Sequence, residues 1–156
     1  MASLPAEIFK AYDIRGIVGR TLTVEGVRLI GRAIGSEARE QRQTAVAVGR
    51  DGRLSGRELA GVLMEGIQAA GIDVFDIGMV ATPMTYFAAH HLRCGSAVSV
   101  TGSHNPPDYN GLKTVIAGTT LSGEAIQGLR ERIEAGRFTQ GSGTQRKVDI
   151  VDDYLD

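Results

Sequence analysis

Short apolar runs alternate along this chain with longer segments of helical periodicity, and this alternation restricts the possible folds more than any other feature. In the second helical segment Leu59, Leu63 and Ile67 lie four residues apart, on one helical face. The apolar runs are too short for helices and cover residues 44–48, 73–77, 96–100 and 111–116. Such alternation is typical of a mostly parallel sheet with helices on both faces. We therefore predict a three-layer α/β fold whose mixed sheet has about four strands.

Polar residues and prolines indicate where the helices begin and end. Thr23 is predicted to cap the first helix, and Ser55 begins the Ser-x-x-Glu pattern of a capping box at the second. Gly71 is expected to end that second helix, and Thr82-Pro83 to begin the third. No helical pattern separates the third apolar run from the fourth. Those two strands are therefore either a hairpin or distant neighbours, and for this reason we expect a mixed sheet.

Composition bounds the kind of protein this is. The chain has 156 residues, of which 42% are apolar, and a net charge of -1. A near-neutral chain is not expected to bind nucleic acid or a membrane surface through bulk charge. No secretory leader and no membrane-spanning run is recognisable in the sequence, so we expect a cytoplasmic protein. The single cysteine, Cys94, is interpreted as a small buried residue, since it has no partner for a disulfide.

The composition changes near the end of the chain. Residues 137–146 are rich in Gly, Ser, Thr and Gln and have the character of a linker, and a new apolar pattern begins at Val148. We therefore divide the chain into a domain at 1–136 and a segment at 137–156 that joins it to a second domain. The chain is expected to be the first part of a longer protein.

The most informative loop follows the third apolar run and reads Thr-Gly-Ser-His-Asn-Pro-Pro-Asp-Tyr-Asn-Gly over residues 101–111. Gly102 lets the backbone turn before Ser103, and the two prolines stiffen the exit of the loop. Lys113 follows at the start of the next strand. A serine, the imidazole of His104 and a lysine are thus predicted beyond a strand end, where α/β proteins commonly have their sites. The alternative is an ordinary surface turn, which has a similar composition.

Several chemistries lack their sequence patterns. The chain has no Walker A loop, dinucleotide fingerprint, nucleophile elbow or zinc-binding spacing. Phosphate chemistry remains: a phosphorylated serine carries acceptor oxygens that can bind Mg²⁺, and a lysine can act as a general base. Arg15 is a candidate phosphate contact, although the sequence alone favours a solvated arginine after a strand.

Four segments in order resemble the first domain of the α-D-phosphohexomutases, in the bacterial phosphomannomutase/phosphoglucomutase branch. These segments are Tyr12–Gly16, Gly49–Arg53, Thr82-Pro83 and Thr101–Pro106. The resemblance implies that Ser103 is the phosphorylated serine and a Mg²⁺ ligand through its phosphate, and that Lys113 is a general base. It also implies that His104 and Asn105 lie beside the phosphoserine, and that Tyr12 and Arg15 face the phosphoserine and the substrate.

The resemblance further implies an intramolecular phosphotransferase that interconverts hexose 1- and 6-phosphates through a 1,6-bisphosphate, with glucose 1,6-bisphosphate as activator. Enzymes of this family have four domains, and the aspartate-rich metal loop and the substrate clamp lie in those absent from this chain. We therefore expect the isolated chain to be inactive without domains two to four. The alternatives are a non-catalytic binding or assembly domain with the same fold, and a serine hydrolase, which the missing nucleophile elbow disfavours.

Overall fold

The structure, a computed structural model, describes residues 4–151 as strands alternating with helices. In chain order, after a short 3-10 turn, the elements are β1 (Ile14–Ile17), α1 (Val24–Glu40), β2 (Ala45–Arg50), α2 (Gly56–Ala69), β3 (Asp73–Met79), α3 (Thr82–His91), β4 (Ala97–Val100), β5 (Tyr109–Ile116), β6 (Thr119–Thr120), α4 (Gly123–Ala135) and β7 (Gln145–Lys147). The α/β prediction is confirmed. The strand count is wrong, because the described residues form seven strands rather than about four.

The sheet is mixed, as predicted. Its order is β1-β5-β4-β2-β3-β7, and β6 pairs with β5 outside this path. The strands β4, β2, β3 and β7 are parallel neighbours, whereas β1 and β5 run antiparallel to the strands beside them. Because β4 and β5 are adjacent and antiparallel, the loop between them is the connection of a hairpin. The hairpin alternative is therefore the correct one.

Side chains of the central strands alternate between two apolar layers. Val46 and Val48 of β2 belong to the larger cluster with α1, α2 and α4, while Ala45 and Ala47 belong to a smaller cluster with α3. This period of two follows from the pleat of a strand, which sends neighbouring side chains to opposite faces. Helices therefore cover both faces of the sheet, as predicted, with three helices on one face and α3 on the other among residues 4–151.

The helix boundaries follow the predicted signals at α1 but not at α2. Thr23 accepts a hydrogen bond from the Gly26 amide at 3.0 Å and caps α1. Ser55 precedes α2 without a capping hydrogen bond, so the capping-box prediction is wrong. The Ser55 hydroxyl instead accepts a hydrogen bond from the buried Asn110 side chain at 2.9 Å. This contact ties the start of α2 to the start of β5.

A buried arginine joins α1 to α4. The Arg132 guanidinium donates to Glu37 at 2.8 Å, to Glu40 at 2.6 Å and to the Arg137 carbonyl at 2.9 Å. The side chain of Arg132 is 7% exposed, so its charge is satisfied largely by these partners rather than by water. The hydrogen bond from Arg132 is the main reason that the pKa of Glu40 lies below its ordinary value.

The segment after α4 packs on the same domain. The Thr139 amide donates to Ser36 of α1 at 2.9 Å, and Arg39 donates to the Gln140 carbonyl at 2.8 Å. Residues 145–147 then form β7, parallel to β3. The division of the chain at residue 136 stays a prediction. The linker-like stretch 137–146 is nevertheless hydrogen-bonded to α1, and its last two residues belong to β7.

Within residues 4–151, no helix combines the length and the apolarity that crossing a lipid bilayer demands.

We predict that Arg132→Met lowers the free energy of unfolding by about 1–2 kcal/mol at neutral pH, because it removes three hydrogen-bond partnerships and leaves two carboxylates without their cation. Glu37 and Glu40 remain partly open to water, which limits the loss. Urea unfolding measures the change. Arg130→Met is the matched control on α4, since Arg130 pairs with Glu134 in a half-exposed position, and it should cost less than about 0.5 kcal/mol.

The effect of Arg132→Met should depend on pH. A carboxyl whose pKa is lowered on folding stabilises the folded state above its unfolded pKa, and that contribution is lost as the pH falls through the folded pKa. The pKa of Glu40 is lowered in this way. The difference in the free energy of unfolding between the parent and Arg132→Met should therefore be largest above the ordinary pKa of a glutamate, and it should decrease as the pH falls below that value. A gap that stays constant down to acid pH would contradict this role of Glu40.

Candidate active site

The candidate site is the loop between β4 and β5, and its centre is Ser103. Ser103 is exposed and has a backbone φ of +51°, a left-handed conformation that side chains other than Asn, Asp and Gly rarely adopt. Its amide donates to the Thr101 hydroxyl at 3.1 Å. The amide and the side chain of Asn105 both donate to the Gly102 carbonyl at 3.0 Å. These bonds form a closed turn with the serine at its outer side.

Asp51 anchors the beginning of this loop from the neighbouring strand. Its Oδ2 accepts hydrogen bonds from the Thr101 hydroxyl and the Gly102 amide, both at 2.9 Å. Its Oδ1 accepts from the Arg53 amide at 3.1 Å. Asp51 directly follows β2, which runs parallel to and beside β4. The carboxyl ends of the two strands therefore meet at one edge of the sheet, and this brings Asp51 to the loop.

Arg53 binds the rest of the loop through its backbone carbonyls. One terminal nitrogen, Nη1, donates to Pro106 at 2.6 Å and to Tyr109 at 3.1 Å. The other, Nη2, donates to Ser103 at 3.1 Å and to Asn105 at 2.7 Å. A planar guanidinium presents its donors in a fixed fork, so four carbonyls are held in one arrangement. The predicted stiffness of the loop would therefore depend on Arg53 as well as on the prolines.

Lys113 and Arg15 lie on one face of the sheet beside this loop. Lys113 of β5 pairs with Ser99 of β4, and Arg15 of β1 pairs with Gly111 of β5. Ser99 contacts Thr82 of α3, with 3.2 Å between the hydroxyl oxygens, so this register places Lys113 and Arg15 on the α3 side. Both residues are half-buried. Arg15 lies within β1 rather than after a strand.

The remaining predicted residues are spread around the loop. Arg15 and Asn105 line the same groove of about 260 Å³, so the structure brings these two together. Tyr12 is 77% exposed and precedes β1, and His104 is exposed beside Ser103. Neither of them is among the described residues that line this groove.

Asp51 and Arg53 are the site residues that sequence reasoning missed. The segment Gly49–Arg53 carries part of the family resemblance, but the sequence alone indicates no role for its side chains. The available signal was topological: the residues that follow parallel strands emerge at one edge of the sheet, so the polar segments after β2 and β4 were candidates for a single site.

Cys94 is buried and is not part of this site. Its thiol donates to the Ser96 carbonyl at 3.3 Å, and burial raises its pKa. Both observations agree with the prediction of a small buried residue rather than a reactive thiol.

The fold and the site together define a class of protein. It is an α/β/α domain in which an exposed serine lies on a hydrogen-bonded loop beyond the end of a strand. The family model for phosphoglucomutase/phosphomannomutase, alpha/beta/alpha domain I, matches residues 6–140. The chain therefore belongs to the phosphoglucomutase/phosphomannomutase family, and its matched part is the first domain.

Known relatives extend well beyond this chain. A phosphomannomutase/phosphoglucomutase from Pseudomonas aeruginosa is 57% identical over 98% of this chain, which spans 33% of that protein. A phosphoglucomutase from Neisseria meningitidis is 55% identical over 99% of this chain and 34% of its own length. A solved structure of a family member from Burkholderia thailandensis is 52% identical, with a TM-score of 0.95 over 97% of this chain and 35% of that one. The chain spans about a third of the curated relatives it matches.

We predict that Gly102→Ala loosens the loop, because a β carbon at Gly102 would overlap the Arg53 guanidinium and displace it from the carbonyls. Hydrogen exchange at the amides of Gly102, Ser103 and Asn105 should become faster by at least about tenfold, since these amides are bonded within or beside the closed turn. Gly52→Ala is the matched control, because its β carbon would meet only Met79 at 3.8 Å. Equal exchange in the two variants would show that Arg53 does not restrain the loop.

Proposed function

We propose that this chain is the phosphoserine domain of a phosphomannomutase/phosphoglucomutase, and that Ser103 carries the phosphoryl group. The observation that supports this most strongly is an exposed serine in a left-handed conformation, in a loop that side chains from the segment after β2 hold. A merely structural turn has little need of such a restraint, whereas strained backbone is often found at functional sites.

Each half of the proposed reaction is a phosphoryl transfer between two oxygens. In the first half a hydroxyl oxygen of a hexose monophosphate attacks the phosphorus on Ser103, the bond from phosphorus to Ser103 Oγ breaks, Lys113 accepts the hydroxyl proton, and Oγ takes up a proton as it leaves. In the second half Ser103 Oγ loses that proton and attacks the other phosphorus of the bisphosphate, the bond from this phosphorus to the sugar oxygen breaks, and the sugar oxygen takes up a proton. Lys113 lies two residues after Gly111, on strand β5, which leaves the same loop. It is therefore a reasonable base for this proton.

Arg15, Tyr12, His104 and Asn105 are proposed to contact the phosphoserine or the substrate. Support is strongest for Arg15 and Asn105, which line one groove next to the serine loop. A guanidinium can bind a phosphate in a bidentate manner, so Arg15 would suit a substrate phosphate. The support for Tyr12 and His104 is their exposure, which leaves both side chains accessible.

A Mg²⁺ ion fits this chain only as part of a larger site. Among residues 4–151, no three His, Cys, Asp or Glu side chains are grouped so that they could hold a metal ion. Ser103 would hold Mg²⁺ through its phosphate, and the other ligands would come from protein outside this chain. When bound, the ion would neutralise charge on the transferring phosphoryl group.

The sugar preference is proposed to depend on parts of the protein beyond this chain. Relatives with nearly equal identity, 57% and 55%, carry different names, phosphomannomutase/phosphoglucomutase and phosphoglucomutase. Similarity in this domain therefore does not separate mannose from glucose phosphates. We propose both hexose phosphates as substrates and glucose 1,6-bisphosphate as the activator that phosphorylates Ser103.

In the full-length protein, Ser103→Ala is expected to abolish turnover by at least about a thousandfold, because no other nucleophile replaces the serine. Stability should change by no more than about 0.5 kcal/mol, since the side chain is exposed. Turnover of glucose 1-phosphate and mannose 1-phosphate, with intact mass after treatment with glucose 1,6-bisphosphate, tests this. Ser142→Ala is the matched control at another exposed serine.

The isolated 156-residue chain is expected to show no turnover above the uncatalysed background, because phosphoryl transfer depends on charges assembled around the whole cleft. The assay uses glucose 1-phosphate, Mg²⁺ and glucose 1,6-bisphosphate, with the full-length protein as control. Normal turnover by the isolated chain would disprove the need for further domains. A full-length protein without activity would favour the non-catalytic alternative.

A further inference from the structure

The terminal N–H groups of the Arg53 guanidinium are not free to bind a substrate. An arginine has five N–H donors, and the four terminal ones of Arg53 bind loop carbonyls. The fifth, on Nε, faces Asp51 Oδ2 at 3.6 Å. The side chain is 16% exposed. Arg53 therefore differs from Arg15, which lines an open groove, and its influence on any bound phosphate must pass through the loop.

The hydrogen bonds of Arg53 restrain Ser103, the proposed phosphoryl carrier. Arg53 binds the carbonyl of Ser103, and the Ser103 amide is held by Thr101, so both peptide groups of Ser103 are fixed. A serine with a φ of +51° would relax to an ordinary conformation if these bonds were absent. That relaxation would rotate the bond from Cα to Cβ and move Oγ.

Asp51 completes the restraint and balances its charge. The carboxylate binds the Gly102 amide and the Thr101 hydroxyl, while its ion pair with Arg53 keeps the guanidinium beneath the loop. Asp51 thus holds the first two residues of the loop, and Arg53 holds the carbonyls that follow them. Their polar groups are bonded to the turn itself, which is expected of residues that act through the backbone.

We infer that Arg53, supported by Asp51, is a positioning residue that sets the direction in which Ser103 Oγ is presented. The inference rests on the proposed function, in which the same oxygen is the leaving atom in one half of the reaction and the acceptor in the other. An oxygen with two such roles must return to one position in every cycle. A displacement of about 1 Å can reduce a rate about a hundredfold.

The test is Arg53→Lys in the full-length protein, since a lysine keeps the charge but cannot bind four carbonyls in a fork. We expect kcat to fall about 10–100-fold and KM to stay within about twofold. Glucose 1,6-bisphosphate should still phosphorylate the variant, but more slowly by rapid-quench intact mass. Arg57→Lys, at an exposed position in the first turn of α2, is the matched control and should keep the parental kcat.

Dividing kcat by the phosphoserine content separates positioning from folding. A misfolded fraction lowers both in proportion, so a parental kcat per phosphoserine in Arg53→Lys would overturn the inference. If Arg53→Lys does not fold, Asp51→Asn takes its place, and a folded Asp51→Asn protein with parental kcat would overturn the inference equally.

Ser103→Ala is assayed alongside. Parental turnover in Ser103→Ala would defeat both the proposed function and this inference, whereas loss of turnover there with parental kcat in Arg53→Lys would defeat the inference alone.

Discussion

The parallel pairing of β2 with β4 is the constraint on which the rest of the site depends. Because the two strands are neighbours and run the same way, the residues that follow them emerge at one edge of the sheet. Asp51 can then bind Thr101 and Gly102 although about 50 residues separate them in sequence. Neither loop has this geometry by itself. The turn that presents Ser103 is a product of sheet topology rather than of local sequence alone.

The antiparallel strand β5 begins at the same edge of the sheet and runs in the opposite direction to β4. It returns from the serine loop into the sheet, so residues on it lie close to the loop in sequence and are fixed by the sheet in space. Lys113 and Arg15 share a face there, on the side of the sheet that α3 covers. The proposed base Lys113 and the proposed phosphate contact Arg15 thus share one face of the sheet, beside the loop that carries the proposed phosphoryl carrier Ser103.

Sequence reasoning predicted the parts of the fold that depend on burial and periodicity. The four central strands coincide with the short runs rich in apolar residues, and Ser103 lies in a loop of turn-forming residues. The missed features are stabilised by distant partners. The strand β7 is polar and is held by its pairing with β3, and the three added strands β1, β6 and β7 are short. Arg53 binds backbone carbonyls 50 to 56 positions away, and every residue has such a carbonyl, so residue identity does not indicate this contact.

The wrong prediction at Ser55 has the same origin. A capping box involves only local partners, whereas the Ser55 hydroxyl binds the buried Asn110 amide 55 positions away, and leaving that amide without a hydrogen bond would cost stability.

The strand β7 has a consequence for how this domain meets other proteins. It is exposed, it ends the described sheet beyond β3, and it carries Arg146 and Lys147. Charged side chains on an outer strand discourage a second sheet from pairing with it. A domain truncated at residue 136 would lack β7. Its outer strand would then be β3, with Val74 and Phe75, and the backbone groups of β3 would be unpaired on that side. The polar segment that resembles a linker is thus also a barrier against aggregation, and a domain cut after Lys147 would keep that barrier.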